Sequence, residues 1–358
     1  MSIRCRTILF LISILVLPAG CRQPHETDVD TLFHGFDGDV PGAAVMVVRD
    51  GSPLFVKAYG LANVEKGIPV TPATNFRLAS VTKQFTSMAV MILVERGLLS
   101  YETTLADIFP AFPDYGAGIT IRHLLQHTSG LVSYESLIPE TATEQVLDRD
   151  VLRMMTTRDS TYFAPGSAYR YSNSGYAVLA MVVETISGMM FPDFLAENIF
   201  APLGMDGSVA YLKGVNEVPR RSFGYRPDDS AFVFSDQSLT SAVLGDGGIY
   251  TSVVDLFKWD QALYTDRLVS RDTLDLAFTP GRLSNGEALS YGFGWNIGDY
   301  RGRRKIWHGG STCGFRTAIH RYPDDRFIVI ILTNRSVADT DSLAEKLADL
   351  FLFGEDAE

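Results

Sequence analysis

Ser80-Val81-Thr82-Lys83-Gln84-Phe85-Thr86-Ser87-Met88-Ala89-Val90-Met91-Ile92-Leu93-Val94-Glu95-Arg96 is the stretch from which the rest of the chain can be read. Apolar side chains at Phe85, Met88, Ala89, Ile92 and Leu93 recur at the spacing of one buried helix face, and Gly97 suits the residue after the last turn. The spacing therefore predicts a helix over 80–96. At its start a hydroxyl and an amine three positions apart share a face, so the Lys83 amine can reach the Ser80 hydroxyl. A serine hydroxyl is a weak nucleophile until a base takes its proton. A lysine can act as that base once burial or cationic neighbours lower its pKa from about 10.4 toward neutrality. The helix N-terminus adds backbone N–H groups aimed at developing negative charge. Taken alone, the Ser-x-x-Lys spacing is common, and a solvated lysine beside a capping serine explains it more simply.

Upstream, 41–60 reads as a β-hairpin, with apolar runs at 43–49 and 54–59 joined through Asp50-Gly51. Downstream, the middle of the chain, about 98–279, looks mostly helical. Segments 121–127, 144–155, 176–187 and 253–263 carry the pattern, divided by loops such as Ala164-Pro165-Gly166. After Asn285 the period becomes that of strands, at 291–297, 305–308, 315–322 and 327–333, and 339–353 closes the chain as an amphipathic helix. Strands at both ends with a helical insert predict an α+β protein whose single sheet is assembled from the two termini. The sheet lobe spans about 31–97 and 285–353, the helical lobe about 98–284.

Two further motifs change the weight of Ser80 and Lys83. Tyr171-Ser172-Asn173 follows the loop Phe163-Ala164-Pro165-Gly166, and His308-Gly309-Gly310 ends a predicted strand. With His123-Leu124-Leu125-Gln126-His127-Thr128-Ser129-Gly130-Leu131, Gly247-Gly248-Ile249-Tyr250 and Tyr291-Gly292-Phe293-Gly294-Trp295, the chain resembles the class C β-lactamase and penicillin-binding-protein-like serine hydrolases. That family includes D-Ala-D-Ala carboxypeptidases, D-aminopeptidases and esterases, and the resemblance covers roughly residues 31–350. It implies a β-lactamase-like fold, an antiparallel sheet flanked by terminal helices, with the active site in the cleft beside a helical lobe. It also implies hydrolysis of an ester or amide through a Ser80 acyl-enzyme without a cofactor. Lys83 and Tyr171 would share the base role, and Asn173 would hold the substrate's amide or acyl side chain. Gly310 and Ser311 would line the substrate, with the backbone N–H groups of Ser80 and Ser311 as the oxyanion hole.

His308 departs from the Lys-Thr-Gly usual in class C β-lactamases, which weakens the β-lactamase reading against a carboxylesterase or a D-Ala-type peptidase. A third alternative is a non-catalytic receptor for penicillin or peptidoglycan fragments. A histidine of ordinary pKa, about 6.5, would gain charge and attract a substrate carboxylate only as pH falls. Arg316, read as lying on the same predicted strand, could supply a permanent charge instead. His123 and His127 have metal-pair spacing, but Leu124 stands where H-E-x-x-H needs its glutamate, so a structural role is the better reading and no metal is expected. Cys313 reads as a small buried residue.

Composition narrows the rest. Lys+Arg 31 against Asp+Glu 42 gives −11, which offers nucleic acid no electrostatic footprint. Arg4 and Arg6 precede an apolar run from Ile8 to Leu17 and then Pro18-Ala19-Gly20-Cys21, the layout of a signal peptide over 1–20. Small residues before Cys21 resemble a lipobox, with Pro18 out of pattern, so Cys21 is the candidate lipidation site and 21–30 the tether. The expectation is an exported protein of the periplasm or cell envelope, a membrane-anchored lipoprotein ahead of the alternative, a plain secreted or periplasmic product. It is expected to be monomeric, to act on a small-molecule or peptide substrate, and to touch membrane only through the lipid.

Overall fold

Phe327-Ile328-Val329-Ile330-Ile331-Leu332-Thr333 lacks the polar–apolar alternation of a half-exposed strand, and the structure gives the reason: both of its faces are covered. The computed structural model describes residues 25–229 and 231–354; the signal segment and Cys21 lie outside the described residues. Six strands form one antiparallel sheet: β1 (Ala43–Arg49), β2 (Ser52–Tyr59), β3 (Asn296–Tyr300), β4 (Arg303–Thr312), β5 (Phe315–Tyr322) and β6 (Phe327–Thr333), in the order β3-β4-β5-β6-β1-β2. The chain ends meet where β1 pairs with β6, Ala43 opposite Thr333 and Arg49 opposite Phe327.

The main helices are α1 (Glu26–Phe33), α2 (Lys83–Glu95), α3 (Asp148–Thr156), α4 (Asn173–Ser187), α5 (Val253–Ala262) and α6 (Thr340–Ala348). Successive strand residues point to opposite faces. Ile328, Ile330 and Leu332 therefore join Ala44, Met46 and Val48 against the helical lobe. Val329 and Ile331 join Val45 and Val47 against α1 and α6 on the other side. Each large aliphatic side chain buried in this way contributes about 1.5–3 kcal/mol. Glu26 to Asp30, read from sequence as part of a polar tether, belong instead to α1: Val29 and Phe33 are buried in the rear core, while Glu26 and Asp30 pair with Lys57.

α2 ends as its glycine implied, with Gly97 at φ 70° and the Leu98 N–H reaching back to Leu93 O. α4 begins three residues before the expected 176, because the Ser172 hydroxyl caps it by accepting the Gly175 N–H at 3.1 Å. A buried ion pair ties the lobes together: Arg321 Nε on β5 lies 2.6 Å from Asp260 Oδ1 on α5, each side chain 1% exposed. Beside it the Trp259 indole N–H donates to Gln84 Oε1 of α2 at 3.0 Å.

Two expectations are corrected. The middle of the chain, expected to be mostly helical, also carries short strands. A small sheet joins Phe76–Arg77, Ile249–Thr251 and Val209–Ala210, and Tyr225–Asp228 pairs with Ala231–Phe234 as a hairpin. These strands are too short to show a period. Residues 291–295 are a turn rather than the start of a strand: Tyr291 bridges back to Asn296, and Gly294 has φ 79°.

Candidate active site

Arg77 pairs with Tyr250, the Leu78 N–H donates to Ile249 O at 2.8 Å, and Leu78 O accepts from Thr317 Oγ1 of β5 at 2.8 Å. The backbone then turns sharply through Ala79, which holds a left-handed φ of 50° uncommon for a residue with a Cβ. Ser80 emerges from that bend in a short 3₁₀ turn (Ala79–Thr82) that runs into α2. The strand β4 can lie against this turn only because position 310 is glycine. A Cβ there would stand 2.1 Å from Leu78 O and 2.2 Å from Thr317 Oγ1.

One turn on, Lys83 is fully buried, and its Nζ lies 3.1 Å from Ser80 Oγ, 2.9 Å from Asn173 Oδ1 and 2.8 Å from Asp246 O. Asn173 Oδ1 and the Asp246 carbonyl can only accept. A neutral amine has two N–H bonds and one lone pair, so donating to both acceptors leaves the lone pair facing Ser80. Burial pushes the Lys83 pKa down to about 8, against the upward pull of Asp246 and Glu135. The amine can therefore accept the Ser80 proton at near-neutral pH.

Tyr171 stands close to both Ser80 and Lys83. Its hydroxyl bonds to Ser80, and its ring centroid lies 4.9 Å from Lys83 Nζ. Burial raises its pKa above the ordinary tyrosine value and the Ser80 bond opposes this, although 40% of the residue stays open to the cleft. The phenol therefore remains protonated across the neutral range. His127 fixes this loop. Its ring sits 4.2 Å from that of Tyr171 and 4.6 Å from that of Tyr291, and its Nδ1 accepts the Ser172 N–H at 3.0 Å. His123 instead caps a helix, its Nδ1 accepting the Thr120 N–H at 3.2 Å. The two imidazoles serve separate backbone groups.

Sequence reasoning missed four polar residues that build the wall facing Ser80. The Asp148 carboxylate accepts the N–H groups of Leu244 (2.8 Å) and Gly245 (3.0 Å), which fixes the short turn carrying Asp246. Arg77 braces the same segment through Gly247 O and Ser241 O. The Asp246 carboxylate accepts the Tyr134 hydroxyl at 3.0 Å, and Glu135 accepts from Asn173 Nδ2 at 2.7 Å. Burial raises Asp246 to about 6 and Asp148 to about 8. The Asp beside Gly247-Gly248 was a usable signal for Asp246; nothing local marked Glu135, Asp148 or Arg77.

His308 and Arg316 are placed differently from the expectation. His308 Nδ1 lies 2.7 Å from Gly309 O, an acceptor, so Nδ1 carries the proton and Nε2 accepts the Tyr291 hydroxyl at 3.1 Å. Burial, with the nearby Lys83 charge, lowers its pKa to about 4. A side chain expected to gain charge near pH 6.5 is thus a neutral, fully bonded imidazole above about pH 5. Arg316 alternates with Thr317, which faces Leu78, and shares its strand face with His320, which bonds Asp341 of α6. Its guanidinium donates to Phe315 O rather than serving the Ser80 side of the sheet. Ser311 is exposed at the mouth of the cleft. Cys313 is partly buried beside Thr312 and Ser241 rather than in the core.

The cleft consists of two adjoining cavities. One, of about 140 Å³, is bounded by Ser80, Arg77, Asp246, Thr240, Ser311 and Thr312; the other, about 160 Å³, by Tyr171, Arg170, Tyr162 and Leu131. Glu135 and Asn173 line both.

The beta-lactamase family pattern matches residues 29–352. Penicillin-binding protein 4* of Bacillus subtilis (strain 168) is 32% identical over 356 residues, covering 93% of this chain and 77% of that protein. A D-aminopeptidase of Brucella anthropi is 30% identical over 306 residues, covering 82% of this chain; the chain spans only 56% of that protein's length. The crystal structure of a penicillin-binding protein from Bacillus halodurans superposes with a TM-score of 0.78 at 27% identity, covering 92% of this chain and all (100%) of the other. The chain belongs to the beta-lactamase family and is a serine hydrolase of β-lactamase-like fold.

Proposed function

We propose that the protein hydrolyses amides and esters through a Ser80 acyl-enzyme and prefers an acyl group that carries a free amine. The observation that carries the chemistry is the set of contacts around Lys83: two acceptors take its N–H bonds and leave its lone pair to Ser80. The Ser80 proton passes to Lys83 Nζ as Oγ bonds to the substrate carbonyl carbon. Backbone N–H groups of Ser80 and Ser311 hold the oxyanion, each worth roughly 3–4 kcal/mol. The tetrahedral intermediate collapses as Tyr171 gives its proton to the leaving nitrogen or oxygen and recovers one from Lys83. Water then attacks the Ser80 ester, its proton returns by the same route, and the acid leaves. Asn173 orients both the amine of Lys83 and the acyl group.

The preference for an amine rests on charge. Glu135 and Asp246 stand beside Ser80, the Arg77 guanidinium in the same lining is committed to Gly247 O and Ser241 O, and His308 contributes no positive charge. An ammonium one carbon from the scissile carbonyl would be attracted by these carboxylates, whereas a carboxylate there would be repelled. The D-aminopeptidases among the relatives act on substrates of that kind by their name. Neutral esters fit the same site, because the imidazole of His308 demands no anionic partner. The test compares D-alanine p-nitroanilide with its N-acetyl derivative. Wild type should hydrolyse the free amine at least tenfold faster in kcat/KM, and Ser80→Ala should lose several orders of magnitude with no acyl adduct by intact mass. Equal rates on the two substrates would remove the amine preference; an active Ser80→Ala would remove the nucleophile.

Export and lipid attachment through Cys21 belong to the same proposal, with the folded domain acting as a monomer in the cell envelope. Wild type should then fractionate with membranes and Cys21→Ser should not. Soluble wild-type protein without lipid mass would overturn the attachment.

A further inference from the structure

We propose that His127 is a positioning residue for proton delivery to the leaving group: it clamps the backbone on both sides of Tyr171 and so aims the phenol. This rests on the acyl-enzyme reading above, in which Tyr171 hands its proton to the departing nitrogen or oxygen. The His127 carbonyl accepts the Arg170 N–H at 2.9 Å, and its Nδ1 accepts the Ser172 N–H at 3.0 Å. Residues 170 and 172 are thus tied to one residue, with Tyr171 between them. The imidazole also lies against the Tyr171 ring, centroids 4.2 Å apart, so one side chain holds both the ring and its backbone. His127 is itself anchored, its N–H donating to Leu124 O at 3.3 Å.

Two features that stability alone does not call for accompany the clamp. His127 holds a left-handed φ of 59°, a conformation that side chains seldom adopt and that clusters at functional sites. Its ring is fully buried, yet Nε2 has no hydrogen-bond partner among the described residues. Because Nδ1 accepts, Nε2 carries the proton, and an N–H left unpaired in the interior destabilises a fold. An apolar side chain would fill this space without that cost but would offer Ser172 no acceptor. Burial, with the nearby Lys83 charge, holds the ring well below the ordinary histidine pKa, so it stays neutral and Nδ1 stays an acceptor. The consequence is specific to one step. Ser80 loses its proton to Lys83, so a misplaced phenol leaves attack on the carbonyl largely intact. What suffers is the collapse, in which the carbon–oxygen or carbon–nitrogen bond breaks and the departing atom takes both the electron pair and the Tyr171 proton. Any further effect through Ser172, which caps α4, and Asn173, which holds the Lys83 amine, falls on all substrates alike.

The test compares p-nitrobenzyl acetate with p-nitrophenyl acetate. Both give the same acyl-enzyme, but the benzyl alkoxide must be protonated as it leaves and the nitrophenolate need not be. The ratio of kcat/KM, benzyl over phenyl, is measured in wild type, His127→Leu, His127→Asn and Tyr171→Phe. Asparagine can place an amide oxygen where Nδ1 accepts and tolerates the left-handed backbone. The ratio should fall about tenfold in His127→Leu and stay within about threefold of wild type in His127→Asn. In the Tyr171→Phe background, His127→Leu should not change it further, because His127 acts through the phenol. If His127→Leu does not fold, judged by Tm, the same comparison is made with His127→Gln, whose amide oxygen overshoots the Nδ1 position. Two substrates slowed alike, with the ratio moving less than about twofold, would make His127 a packing residue and overturn the proposal. Equal loss of the ratio in His127→Leu and His127→Asn would overturn the clamp through Nδ1. A wild-type ratio in Tyr171→Phe would overturn Tyr171 as the proton donor and His127 with it. A lowered ratio in Tyr171→Phe beside an unmoved one in His127→Leu would overturn His127 alone.

Discussion

Asn173→Asp replaces one acceptor of the Lys83 amine by a carboxylate of the same shape, 2.9 Å from Nζ in the native arrangement. With the amine at about 8, roughly a quarter of the protein is in the base form at pH 7.5; at the ordinary lysine value the fraction would be about one in a thousand. A carboxylate at that distance favours the ammonium and shifts such a group by about 1–3 units. The sign is upward. The base form becomes scarce at neutral pH, and the alkaline rise in rate moves from about 8 to about 9–11. At pH 7.5 the loss is then roughly 8- to 800-fold, recovered progressively as pH rises. The new carboxylate would also face Glu135, whose Oε1 lies 2.7 Å from Asn173 Nδ2. Adding Glu135→Gln removes that repulsion and isolates the effect on Lys83. The assay is the rate of Ser80 labelling by a neutral fluorophosphonate between pH 6 and 10.5, which carries no substrate titration. A wild-type rate that is flat from pH 6.5 to 9 would sink Lys83 as the base. So would an Asn173→Asp profile lowered uniformly with its rise unmoved.

The histidine of the His-Gly-Gly motif gives the opposite expectation. Because burial holds His308 near 4, the KM ratio between a carboxylate-bearing and a neutral ester should not change from pH 5.5 to 8 on its account. A step near 6.5 that vanishes in His308→Gln would contradict the neutral, Tyr291-bonded imidazole. Gly310→Ala should lower both Tm and activity, because its methyl would meet Leu78 O and Thr317 Oγ1 at about 2 Å; unchanged stability would mean that β4 can move away from the nucleophile turn without cost.

The sequence legible without coordinates was that with a period or a motif. The helix after Ser80, the hairpin 43–59 and the strands 315–322 and 327–333 were readable because each is long enough to repeat its apolar pattern. The motifs at Ser80, Tyr171 and His308 pointed to the kind of site through the family they resemble. What they could not supply was charge state. Whether Lys83 is a base and His308 an ion depends on burial and on acceptors brought from residues more than 90 positions away, such as Asp246. The guanidinium expected from Arg316 fails on strand parity: one residue's shift in register sends a side chain to the other face of the sheet. Arg170, with no motif of its own, acquires its place from the fold of two loops onto Gly130 and His127. Sequence alone thus marked Ser80 as the candidate nucleophile, through the family resemblance its motifs carry, and most of the architecture, through local periodicity. The tertiary structure decided the protonation states and the wall that brings Arg77, Glu135 and Asp246 beside Ser80, because long-range packing sets desolvation and charge proximity.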